Sequence, residues 1–104
     1  MIMKALRFEQ GDILTVEGIP GSVLVVSKNF FNNSEQAICC PLIGWAEADP
    51  LHIPITCHEK DYTVLCEQMK FLDLHIRGYK KVSSINYNDL LNILDTIQCI
   101  FDYY

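Results

Sequence analysis

Residues 63 to 69 read TVLCEQM, an apolar run that delivers Glu67 and Gln68 side by side at its end. Thr63 to Cys66 suit a strand, because β-branched and apolar side chains pack well on a pleated, half-buried surface. Neighbouring side chains on a strand point to opposite faces. One of the pair is therefore expected to turn toward a groove, there to contact a ligand or, as the favoured role, to fix a neighbouring loop by hydrogen bonds. Arg77, Lys80 and Lys81 form a small basic cluster that either guards a sheet edge against unwanted pairing or supplies a local patch for a nucleic acid. Asp73 and His75 read as loop-stabilising or exposed. Cys57 and His58 with Cys66 could ligate zinc, but adjacent ligands lack the spacing that lets both reach one tetrahedral ion. The five cysteines are an odd number without a C-x-x-C, most of them inside apolar runs. Reduced, buried thiols are the expectation, with no metal and no cofactor.

The elements that must position these groups are drawn from 104 residues, 50% of them hydrophobic and 20% charged, enough to build one core in a single domain over residues 1–104. A domain of this size is marginally stable, and a partner subunit that covers more of its apolar surface would help. A net charge of −5 argues against the enveloping positive potential of non-specific duplex binders. Any nucleic-acid contact must then be local. No 18-residue apolar run occurs, and the N-terminal MIMKALRFEQ lacks the pattern of a signal peptide. A cytoplasmic protein with no membrane partner is expected.

Gly11-Asp12 breaks the N-terminal segment, and ILTVEG, the turn signal Ile19-Pro20-Gly21 and the apolar SVLVVS together predict a hairpin. NFFNNSE, from Asn29, is rich in turn formers, and Gln36 to Cys40 read as a third strand closed by Pro41. After a loop over 44–50, LHIPIT alternates, with Leu51, Ile53 and Ile55 on one face, His52 and Pro54 on the other, polar one, and Pro54 implying an edge position. TVLCEQ is the fifth strand, MKFLDLHIRG a turn-like connection and YKKVSSI a short sixth strand. The period then changes to helical: Asn86 caps, Asp89 favours the positive helix end, and Leu90, Leu94, Ile97 and Phe101 make an apolar stripe widened by Leu91, Ile93 and Ile100. Short strands followed by one helix of about 15 residues predict a mainly β fold, a small, partly open barrel with the helix against one side.

Several of these segments, in this order, resemble the MazF/PemK family of toxins from bacterial toxin–antitoxin pairs. Gly11-Asp12 with ILTV is similar to the family's opening strand, SVLVVSKNFFN to its second strand and the Asn-containing turn, and Cys40-Pro41-Leu42 to its third-strand exit. LHIPI is similar to the strand that follows, and VLCEQMKFLD is the closest fit. The resemblance implies an SH3-like barrel, a homodimer, a cognate antitoxin protein, and metal-independent cleavage of single-stranded RNA. Two departures stand out. The first hairpin's connection is only EGIPGS, so the slot for the family's Arg falls near Gly21 and its Pro on Ser22. The Thr after the third-strand proline falls on Ile43.

RNA cleavage without a metal needs a base for the 2′-hydroxyl proton, an acid for the leaving oxygen, and a cation or N–H donors for the developing charge. His52 as acid or base, Glu67 as orienting or proton-accepting carboxylate and Arg77 as phosphate clamp are the catalytic candidates. Glu17, Ser22, Lys28, Asn32, Gln68, Lys70 and Lys80 are the candidates for substrate contact. With both the Arg and the Thr absent, reduced activity is expected. Two other readings stay open. One is a catalytically degenerate barrel that binds a nucleic acid, DNA included, or a protein; the other is a CcdB-like gyrase-poison mode, which rests on fold analogy.

Overall fold

The computed structural model describes residues 7–47 and 49–102; the first six residues, on which much of the N-terminal reading rests, lie outside them. Among the described residues seven strands are formed: β1 (Asp12–Val16), β2 (Ser22–Val25), β3 (Gln36–Ile43), β4 (His52–Cys57), β5 (Lys60–Leu65), β6 (Lys70–Asp73) and β7 (Tyr79–Ser84). A four-residue helix, α1 (Asn29–Asn32), and a terminal helix, α2 (Tyr87–Phe101), complete the set. The antiparallel sheet runs β4-β5-β3-β2-β1-β7, with β6 paired to β3 beside it. The architecture is the mainly β fold with a C-terminal helix that the strand pattern predicts.

The sheet curls until its two ends touch. Cys57 Sγ, at the end of β4, lies 2.8 Å from Ser83 Oγ and 3.2 Å from the Ser84 carbonyl, at the end of β7. Both faces are covered, as alternation along each strand requires. Ile13, Leu24, Cys40 and Val64 join one cluster, on which α2 places Ile93, Leu94 and Ile97. Leu14, Val23, Val25 and Cys39 join the other, with Phe8 and Leu72.

Four local expectations are corrected. MKFLDLHIRG is not all connection: Lys70 to Asp73 form β6, in register with Cys39 to Gln36. Leu72 supplies its only fully inward apolar side chain, so a four-residue strand carries almost no alternation signal. The third strand does not stop at Pro41 but continues to Ile43. Its outer partner changes there, from β6 at residues 36–39 to β5 at 42–43, so Pro41 falls where no ladder N–H is called for. The fifth strand ends at Leu65. A turn closed by Gln68 N–H on the Leu65 carbonyl at 3.2 Å follows, and it cancels the alternation, so that Glu67 and Gln68 are both exposed. The apolar stripe of α2 is also narrower than its sequence suggests: Leu91, Ile100 and Phe101 face outward.

The hairpin β1–β2, the edge position of β4 with Pro54, and the cap of α2 follow their sequence signals. Asn86 Oδ1 accepts from Asp89 N–H at 2.8 Å, filling one of the helix's free donors.

Candidate functional site

β4 ends one side of the sheet, and its first residue, His52, pairs in register with Leu65. The turn after Leu65 carries Glu67 back over that position, and His52 Nε2 meets Glu67 Oε1 at 2.8 Å. Two residues 15 apart in sequence thus form a charge-assisted contact at the end of a hairpin. The side chains are 25% and 31% exposed, open enough to meet a ligand and covered enough to hold a geometry. The hydrogen bond with Glu67 raises the His52 pKa above the ordinary imidazole value against a smaller opposing effect of burial, and the charges of Glu67 and Asp49 add to it. Burial pushes the Glu67 carboxyl upward, but the bonds from His52, from its own backbone N–H and from Gln68 together bring it below its usual value. Both shifts favour the charged forms, an imidazolium on a carboxylate, over the neutral ones.

His52 opens onto a groove of about 730 Å³ between the 44–50 loop and the outer side of β4 and β5. Trp45, 85% exposed, stands on its rim, with Pro50, Ile53 and Pro54 along it. Its charged groups are Glu47, Asp49, Asp61 and His52; among the described residues no Lys or Arg lines it. Two of these carboxylates serve the fold, Asp49 by accepting from Leu51 N–H and Asp61 by accepting from the Thr56 hydroxyl.

The third catalytic candidate, Arg77, lies elsewhere. Its Nη1 donates to the Glu17 carbonyl at 3.1 Å, and it lines a separate cavity with Arg7, Glu35 and His75. The structure thus joins His52 to Glu67 and leaves Arg77 apart from both. Among the substrate-contact candidates, Gln68 stands beside the pair, with its amide donating to Glu67 at 3.4 Å. Glu17, in the turn after β1, and Lys80, on β7, share a shallow cleft. Lys70, at the start of β6, borders an apolar groove against α2. Ser22 begins β2, opposite Thr15 and Leu42, and Lys28 precedes α1 and is exposed. Asn32 is buried: its amide donates to the Ser27 carbonyl at 3.0 Å and its carbonyl oxygen accepts from the Ser27 hydroxyl, so its polar atoms are used inside the chain.

Of the basic cluster, Lys81 pairs with buried Asp12 at 3.4 Å, a carboxylate that also accepts from the Ser84 hydroxyl and Glu9 N–H. The expected loop role of Asp73 is visible, since it accepts from His75 N–H at 3.0 Å. Burial pushes the thiols of Cys39 and Cys40 up to about 12 and that of Cys66 to about 11, which keeps them as apolar core groups. Among the described residues no group of three His, Cys, Asp or Glu side chains is placed to hold a metal ion.

Sequence reasoning did not single out Arg7, Glu35 or Trp45. Trp45 is the chain's only tryptophan and sits in a loop, which is a usable signal. Glu35 reaches His75 across 40 positions with a backbone φ of 59°, and nothing local announces either fact.

A curled antiparallel sheet closed at one corner with a helix against one face defines a small, partly open β-barrel protein. The chain belongs to the PemK-like, MazF-like toxin family of type II toxin–antitoxin systems, which matches residues 9–101. Its fold is similar to that of the MazE–MazF complex (Form I) from Deinococcus radiodurans, with a TM-score of 0.81 at 16% identity over 90% of this chain and 95% of that one. It is also similar to a mycobacterial endoribonuclease in complex with its cognate antitoxin, with a TM-score of 0.73 at 15% identity over 93% and 99% of the two chains. The Mycobacterium tuberculosis toxin MazF-mt6 gives 0.72 at 10% identity over 90% and 98%. No curated protein matches the chain by sequence. Among the described residues no helix is long and apolar enough to cross a membrane.

Proposed function

We propose that this chain is the toxin of a toxin–antitoxin pair and cuts single-stranded RNA without a metal, at reduced rate, with the His52–Glu67 pair as its acid–base group. The 2.8 Å contact between a raised imidazole and a lowered carboxyl carries the reading. In that chemistry the substrate's 2′-oxygen attacks phosphorus as its proton passes to the Glu67 carboxylate, and the 5′-oxygen departs with a proton. An imidazolium held by Glu67 is suited to give the second proton. The groove's described lining holds no Lys or Arg, so apart from the imidazolium itself no described side-chain cation stands there for the charge that develops on the phosphoryl oxygens. Loss of one preorganised donor typically costs about 10²–10³ in rate, which is why a slow enzyme is proposed.

The same lining favours the second reading, a barrel that binds rather than cuts. A groove with an exposed Trp45 and carboxylates can hold a protein partner without hydrolysis, as in a gyrase-poison mode, or a nucleic acid such as DNA elsewhere on the surface. The proposal also includes one domain over residues 1–104, a cytoplasmic setting, a cognate antitoxin and a homodimer. The homodimer is supported by outward Phe71, Leu91, Ile100 and Phe101 on and around the apolar groove at α2.

The test is incubation of the purified protein with long single-stranded RNA in EDTA, beside His52→Ala, Glu67→Ala and Arg77→Ala, with the ends mapped. Slow cuts that vanish in His52→Ala support the enzyme. Robust cuts that persist in all three variants overturn the residue assignment. No cutting by the wild type, with growth arrest on expression and intact message, selects the binding reading. Sedimentation at micromolar concentration decides the dimer.

A further inference from the structure

The chain contains two arginines, Arg7 and Arg77, 70 positions apart, and the fold brings both to one cavity of about 600 Å³. We infer that Arg7, Arg77 and His75 form a binding site for a phosphate group. Arginine's planar, weakly hydrated fork matches phosphate oxygens in pairs, and two forks around one cavity supply the donors for such a ligand. Two of the three side chains are held in place before any ligand arrives. Arg77 N–H bonds the Asp73 carbonyl at 3.3 Å, its Nη1 bonds the Glu17 carbonyl, and Glu17 N–H bonds the Gly78 carbonyl at 2.8 Å. A Cβ on Gly78 would lie 2.6 Å from the Glu17 side chain, so the glycine lets the loop close against the first hairpin. On the other side His75 is fixed by its N–H on Asp73 and by Nδ1 against Glu35 Oε2 at 2.7 Å. That arrangement puts the ring's donor on Glu35 and leaves Nε2 to accept from a protonated oxygen of the ligand.

The only carboxylate among the described lining residues is that of Glu35, already on His75; Glu17 lines the neighbouring cleft instead. A locally positive cavity on a chain of net charge −5 marks a place where anion affinity is concentrated. Ile76, 80% exposed at the cavity, adds an apolar surface beside the phosphate, which suits a phosphate carried on a nucleotide strand. The inference deepens the ribonuclease reading by naming where a strand's phosphate is gripped, and rests on that reading for the RNA source alone.

With only two arginines, the side-chain Nε–H signals in a proton–nitrogen spectrum are two and can be assigned with Arg7→Ala and Arg77→Ala. Titration with inorganic phosphate at constant ionic strength should move both signals along one saturating curve. Either alanine variant should flatten the response of the remaining arginine, whose unliganded signal at its wild-type position confirms the fold. Linear drift, or movement of only one signal, overturns the site. A single-stranded 2′-O-methyl RNA, which lacks the attacking hydroxyl and cannot be cut, then identifies the source. Shifts of the same two signals place the strand here. Each Arg→Ala variant should weaken its binding about tenfold and lower the slope of log affinity against log salt by about 0.7. Saturable phosphate shifts without any response to the oligonucleotide would keep the phosphate site as one for a free phosphate compound and overturn its use by RNA.

Discussion

The molecule holds two histidine–carboxylate pairs of nearly equal length, His52–Glu67 at 2.8 Å and His75–Glu35 at 2.7 Å, in opposite electrostatic settings. The first stands at an acidic, aromatic groove without a Lys or Arg, and its imidazole is one-quarter exposed. The second stands among both arginines of the chain, and its imidazole is 74% exposed. A short contact by itself therefore assigns no role. A largely covered imidazole held in one orientation is suited to proton transfer, whereas an open one that shares a cavity with two guanidinium groups is suited to a place beside a bound anion. The proposed proton transfer and phosphate clamping, which a metal-independent ribonuclease needs together, would thus be divided between two regions of this surface.

The largest effect that would break this contrast is on the chemical step. His52→Ala is expected to lower the single-turnover cutting rate at saturating RNA by about 10²-fold, the lower range for loss of a general acid. His75→Ala is expected to act through binding, so its deficit appears at low RNA concentration and closes at saturation. Equal losses at saturation in both variants would erase the distinction.

Nearly as large is the gain from giving the first region the cation that the second has. Gly44 lines the groove beside Thr63, and no atom lies within 4 Å of where its Cβ would be, so Gly44→Arg can be accommodated. Up to about 10²-fold faster cutting is expected, by analogy with the loss of one transition-state donor. An unchanged rate measured on the same RNA would mean that the missing cation is not what limits the wild type.

An intermediate effect concerns the carboxylate that holds the fold rather than a histidine. Asp12 is buried and accepts from Ser84, Glu9 and Lys81 at once. Asp12→Ala should lower unfolding stability by about 2–3 kcal/mol in urea titrations, because three donors lose their partner. Glu35→Ala, at the surface pair, should fall well short of that.

The smallest effect is the pH dependence of the His52–Glu67 pair. The imidazole pKa is raised in the fold, so its contribution is complete below the ordinary imidazole value and fades as pH rises through the raised one. The carboxyl is lowered, so its contribution is present above the ordinary carboxyl value and fades as pH falls through the lowered one. The stability difference between wild type and Glu67→Gln should therefore peak between those limits, and the variant's His52 ring signals should titrate at lower pH than in the wild type. An unmoved midpoint would show that Glu67 does not hold the imidazolium in solution.

Much of the fold was legible in the sequence, for reasons that are local. The hairpin at 19–21, the edge position forced by Pro54, and the cap that Asn86 and Asp89 set for α2 depend on neighbours in the chain, so their signals survive without tertiary information. Glu67 was noticed as an out-of-place polar residue after an apolar run, and His52 as a titratable group on the polar side of its strand. Both observations needed only periodicity.

What tertiary structure alone decided lies where long-range pairing overrules local pattern. β6 exists because β3 offers it an edge up to residue 39, not because KFLD announces a strand. The turn after Leu65 brings Glu67 to His52 rather than pointing it inward, and the interior use of Asn32 removes a residue that composition placed in a contact loop. The division of Arg77 from the His52 pair, and its union with Arg7 from the far end of the chain, depend on how the sheet curls. Sequence specifies which groups can transfer a proton or grip a phosphate, because that is a property of each side chain. Which of them share a site is set by strand register and curl, and those are fixed only when the whole sheet has paired.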